Sequence, residues 1–173
     1  MPDTTTLADF KAELESVCAA AVLLPAPPAG TTNIFTAIQV IEKSFVEQLR
    51  ETAPRISLPA LIFDIGEMTE CNDFGMMTVG LMYATVRIFY VDQWGVSASR
   101  GTQAAVDAMA VAIKLALESP TAQFAYFTVS QGGAMSSGMS NPLNQTLFGE
   151  SQAKAVSASV AYTQGFMVQD YTL

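Results

Sequence analysis

A chain of 173 residues with eight basic and sixteen acidic side chains, a net charge of −8 and no histidine excludes several function classes at once. Histidine-based catalysis and histidine-containing zinc sites are ruled out, and static nucleic-acid binding is disfavoured because the basic residues are scattered singly and form no patch against phosphates. The apolar fraction of 50% stands beside a charged fraction of only 14%, with a mean hydropathy of +0.32, a balance that favours a homo-oligomer whose subunits cover apolar surface on one another.

In chain order, Leu7, Phe10, Leu14, Val17, Ala21 and Leu24 recur at spacings of three and four, which predicts a first helix over 6–23. Pro25, Pro27, Pro28 and Gly30 then break it, so residues 1–30 read as an N-terminal helical arm and Pro-rich linker ahead of a single α+β domain over 31–173. The stripe is too short for a coiled coil. An amphipathic helix lying on its own domain is therefore set against an inter-subunit arm, in which Leu7, Phe10 and Leu14 would be interface residues. The apolar run from Val17 follows Asp3, Asp9, Glu13 and Glu15, the wrong charge for a signal peptide. Lys114 and Glu118 interrupt the longest apolar candidate before it reaches the ~20 residues of a membrane span, so a soluble protein without a membrane partner is expected.

Asn33 is a candidate N-cap for a second helix carrying Ile34, Ile38, Ile41, Phe45 and Leu49 on one face, and Pro54 ends it. Strands follow over 57–65 and 78–92 and should pair antiparallel, with an acidic hairpin loop over 66–75. A third helix over 102–118 offers Ala105, Met109, Ala112, Ile113 and Ala116 to the sheet, and two last strands cover 124–130 and 153–162, the latter placing Val156, Ala158, Val160 and Tyr162 on one face. This order predicts an α+β fold of two layers, an antiparallel sheet of about four strands with helices packed on one face. Tyr83, Phe89 and Val91 would then lie on the other face, either solvated or covered by a neighbouring subunit.

Between the last two strands, Gly132 to Phe148 forms about seventeen residues of loop composition, long enough to imply a function. Its turn formers are mixed with Met135, Met139, Leu143 and Phe148, a surface suited to a partner; Trp94 is either a core lid or an interface anchor. Cys18 and Cys71 form no CxxC pair and read as free thiols, and Glu70 and Asp73 beside Cys71 oppose a reactive thiolate. Asp64, Glu67, Glu70 and Asp73 could hold a hard cation, but their spacing departs from the EF-hand loop and the plainer reading is a solvated hairpin tip. Gln131-Gly132-Gly133 lacks both phosphate-loop patterns and reads as a turn. No catalytic residue, cofactor or metal site is expected, and the chain does not read as an enzyme.

The succession of helix, Leu58-Pro59-Ala60-Leu61-Ile62-Phe63 strand, acidic loop, Tyr83-to-Val91 strand, helix and two terminal strands resembles the tail-terminator proteins of long-tailed bacteriophages, over about residues 33 to 168. The cues are the strand interrupted by Pro59, its Gly66-Glu67 exit and a last strand of alternating small and apolar residues ending near Tyr162. The resemblance implies an α+β subunit of a closed six-fold ring that sits on the end of the tail tube, stops its polymerisation and presents a surface to the head-tail connector protein, with DNA passing through the lumen. Virion assembly in a host cytoplasm goes with it. Residues 1–30 and the stretch 132–148 are longer than the family pattern. Another phage neck or connector component, and a ligand-binding α+β domain unrelated to phage, are the alternatives.

Overall fold

Thr6 opens the first helix, α1 (Leu7–Val22), with a capping box: its hydroxyl accepts from the Asp9 N–H at 3.2 Å and its own N–H donates to the Asp9 carboxylate at 2.9 Å. The Thr6 hydroxyl also donates to this carboxylate, and that bond first, then the Thr6 N–H, holds the Asp9 carboxyl below its ordinary pKa. The helix ends at Leu23, whose left-handed backbone (φ 49) closes the last turn onto the Ala19 carbonyl. The computed structural model describes residues 6–23, 59–70, 82–93, 102–129, 132–137 and 155–168. Trp94, the helix expected from Asn33 and residues 71–75 of the expected acidic loop lie outside them.

The second described helix, α2 (Gln103–Glu118), is capped by Thr102, whose hydroxyl accepts from the Ala105 N–H at 3.2 Å. Its buried face is Val106, Ala110, Ile113 and Leu117, rotated by one residue from the face expected. A helix this rich in alanine gives periodicity little contrast to fix its rotation, and the larger Val106 and Leu117 decide it.

The strands are β1 (Ala60–Glu70), β2 (Met82–Gln93), β3 (Phe127–Val129), β4 (Ala134–Ser137) and β5 (Ala155–Val168), all antiparallel, in the order β1-β2-β5 with β3 and β4 both along the outer edge of β5. The fold is α+β, as expected. Several boundaries differ. β1 continues through Gly66 to Glu70 where a hairpin loop was expected, β5 runs on past Tyr162 to Val168, and the first of the two last strands starts at Phe127 rather than Phe124. The register slips between Ile65 and Met68 on β1 and again between Ala84 and Val86 on β2, so irregularities on both neighbours fall opposite Thr85. Glycine is required at the first, because a Cβ on Gly66 would stand 2.3 Å from the Thr85 hydroxyl oxygen. A glycine in a strand reads as an exit in sequence, and here it marks a bulge.

Both helices contribute to one core on one face of the sheet, where Leu61, Phe63, Val86, Ile88, Val160 and Phe166 meet α1 and α2. At its centre Phe10 packs edge-on to Phe127 (centroids 5.3 Å apart, 88°) and against Phe166 at 5.8 Å, with Phe127 and Phe166 5.3 Å apart. Phe10 and Leu14 are 0% and 1% exposed, with Leu7 packed against the same cluster. The helix stripe thus lies on its own sheet, and Phe10 and Leu14 are interior residues rather than a free interface. On the opposite face Ile62, Phe89 and Val91 are buried within the single chain, so Phe89 and Val91 need no neighbouring subunit to cover them; Tyr83 is half-buried.

Candidate functional site

The register between β3 and β5 continues unchanged between β4 and β5, from Phe127 opposite Val168 to Ser137 opposite Ala158. β3 and β4 therefore follow one register along the same edge of β5. The Gly-Gly pair that reads as the start of a long loop stands directly before β4, so residues 134–137 of the expected loop are sheet. At the rejoining point Gly133 falls opposite Tyr162, whose ring covers it; Gly132 takes a φ of +107 that favours glycine.

Two glutamates, one from each helix, hold this edge. The Glu13 carboxylate of α1 accepts from the N–H groups of Ala125 (2.7 Å) and Tyr126 (2.8 Å), just ahead of β3. The Glu118 carboxylate, at the end of α2, accepts from those of Gly132 (3.2 Å) and Gly133 (2.9 Å), just ahead of β4. Each serves amides at a point where the chain is not paired in the ladder, and charge-assisted bonds of this kind are about twice as strong as neutral ones. Lys114 donates to both Glu118 oxygens at 2.5 and 2.6 Å. Partial desolvation works to raise the Glu118 pKa, but the bonds from Lys114 and Gly133 outweigh it and the carboxyl lies below its ordinary value. The Tyr162 hydroxyl is buried near the same carboxylate, short of a well-formed hydrogen bond, and burial followed by the Glu118 charge pushes the phenol's pKa up.

Along β4 this frame presents only uncharged side chains. All four β4 side chains are exposed, Met135 at 42%, and among the described residues β4 pairs only with β5. Beside it an open groove of about 510 Å³ runs past the end of α2, lined by Leu117, Glu118, Phe124, Phe127 and Val129 among others. On the outer side of α2, Ala104, Ala108, Val111 and Leu115 are all exposed, Leu115 at 66%.

Of the residues that sequence singled out, Met135 lies on this edge, Phe10 and Leu14 are interior, and Met139, Leu143, Phe148 and Trp94 fall outside the described residues. Asp64 is half-buried opposite Arg87 on β2, burial raising its pKa against the pull of the Arg87 charge; the side chains of Glu67, Glu70 and Asp73 are not among those described. No group of three or more acidic or cysteine side chains able to hold a metal occurs among the described residues. Cys18 is free and buried, and burial pushes its thiol's pKa up, which makes it inert. No described helix is long and apolar enough to cross a membrane. Glu13, Glu118, Val111 and Leu115 escaped the sequence reading. Periodicity could have found the last two, at an apolar spacing opposite the core, whereas the glutamates act on amides 112 and 14 residues away.

No protein-family model matches the chain, and a search of curated proteins finds no significant match.

Proposed function

We propose that the protein is a structural assembly subunit of the tail-terminator type. Copies join head to tail into a closed ring, expected to be six-fold, that sits on the end of a phage tail tube, stops its growth and offers a surface to the head-tail connector protein. The observation that carries this reading is the β3–β4 edge: a strand that, among the described residues, pairs on one side only, with four exposed, uncharged side chains on β4, held by Glu13 and Glu118 and leading in sequence into the Met139-to-Phe148 stretch. An open edge recruits another chain by backbone hydrogen bonds, and native subunits that stay alone blunt such edges with charge or proline. None of Ala134, Met135, Ser136 and Ser137 does that. The low overall charge and the α+β fold agree with the same reading.

Native mass spectrometry of the purified chain tests it. A closed ring gives a discrete multiple of the 18.4 kDa subunit with no ladder of intermediates. Met135→Lys, which places a charge on the edge without touching the core, should shift the protein towards smaller species. A ring unaffected by Met135→Lys would move the contact away from β4, and a protein that never associates would remove the ring.

A further inference from the structure

Ala104, Ala108, Val111 and Leu115 follow one another at intervals of four, three and four residues, the spacing that keeps one seam of a helix towards a partner helix. They stand on the side of α2 opposite Val106, Ala110, Ile113 and Leu117, so the helix is apolar both inward and outward. Its polar side chains, Gln103, Asp107, Lys114 and Glu118, share one flank, joined in pairs by bonds from Gln103 to Asp107 and from Lys114 to Glu118. A helix apolar on two sides needs cover on both.

The seam is graded, with alanines in its first half and Val111 and Leu115 in its second. Laid antiparallel on a second copy of itself, Leu115 of each falls on Ala104 of the other and Val111 on Ala108, large on small in every layer. The two-fold axis that relates such helices also brings polar flank to polar flank. At a rise of about 1.5 Å per residue, Asp107 of each copy then stands within roughly 3 Å, along the axis, of Lys114 of the other, so that acid meets base twice. A parallel pairing would set Leu115 on Leu115 and put the two polar flanks on opposite sides of the contact, so that Asp107 and Lys114 of different copies would not meet. We infer that α2 is a two-fold contact surface whose occupant is a second copy of this chain, packed antiparallel through Ala104, Ala108, Val111 and Leu115 and flanked by Asp107–Lys114 pairs.

This contact goes beyond the ring. A two-fold contact closes after two copies, so it either pairs free subunits or joins two rings face to face. Sedimentation velocity on the full chain separates the two contacts: Leu115→Glu should halve the mass, whether from dimer to monomer or from double ring to single. A wild-type dimer that falls to monomer would uphold the α2 pair and count against the ring. An unchanged mass would overturn the α2 pair alone. Charge reversal gives a second route that spares the apolar seam. Asp107→Lys and Lys114→Glu should each weaken pairing alone, and an equimolar mixture should restore it, because both cross-pairs then join opposite charges. In a Cys71→Ser background, Ala104→Cys combined with Leu115→Cys should give a disulfide-linked dimer under mild oxidation. Cross-linking by Leu115→Cys alone, or failure of the charge mixture to associate, would overturn the antiparallel arrangement.

Discussion

Gly133 lies beneath the ring of Tyr162, so closely that a Cβ on Gly133 would come within 2.6 Å of two ring carbons. An aromatic side chain spread over a glycine on the neighbouring strand covers backbone that would otherwise face water. Here it also fixes where the edge strand rejoins the sheet, one residue before β4. Gly133→Ala should therefore cost about 1–3 kcal/mol in urea denaturation through overpacking. In a Tyr162→Ala background the same change should cost much less, a non-additivity that the cycle of single and double variants reads directly.

Glu118 holds the same junction by charge. Its folded pKa lies below the ordinary value of 4.5, so the stability it contributes is present above that value and is lost as pH falls through the lower folded one. The gap in stability between wild type and Glu118→Gln should accordingly be widest at neutral pH and narrow as pH falls below the ordinary value. Amide exchange gives a local readout, since the N–H groups of Gly132 and Gly133 should exchange faster in Glu118→Ala. Unchanged exchange at both glycines would mean that the carboxylate does not hold the strand.

Phe10 separates a core helix from an arm. Its ring is fully buried between Phe127 and Phe166, so Phe10→Ala should destabilise the fold by about 3–5 kcal/mol. Truncation of an interface residue on a projecting arm would change association and leave the unfolding midpoint of the subunit in place.

At alkaline pH two buried groups act together. The Cys18 thiol, with an ordinary value of 9.0, and the Tyr162 phenol, with an ordinary value of 10.0, both have raised folded pKa values, the first from burial and the second from burial and the Glu118 charge. Each contributes stability that is present below the ordinary value and is lost as pH rises above it, because the unfolded chain ionises first. Stability should fall from about pH 9 upward, and Cys18→Ala, whatever its cost at neutral pH, should make the first part of that fall shallower. In the Cys71→Ser background the native protein should leave a thiol reagent unreacted until it unfolds.

The layering of the fold was legible because its signals are local. The helices capped by Thr6 and Thr102 start where expected, and Ala158, Val160 and Tyr162 alternate onto the core face of a strand, although Ser157 and Ser159 between them are buried as well. Glycine misled twice for the same reason. Gly66 permits a bulge beside Thr85 and Gly133 a close approach to Tyr162, and both needs arise from residues distant in sequence, so each glycine reads locally as a turn. The rotation of α2 was not legible because alanines on every side flatten its periodicity. Of the edge, Met135 was visible as an apolar residue out of place, while Glu13 and Glu118 looked like ordinary surface acids.

We propose that the β3–β4 edge and the chain that follows it build a ring on a tail tube. Electron microscopy of purified tail tubes elongating with and without the protein tests this most directly. Tubes grown in its presence should be capped at one end by a ring and stop lengthening, and the Met135→Lys variant should leave them uncapped and growing. Uncapped tubes that elongate equally with the wild-type protein, at concentrations where it is folded, would contradict the claim.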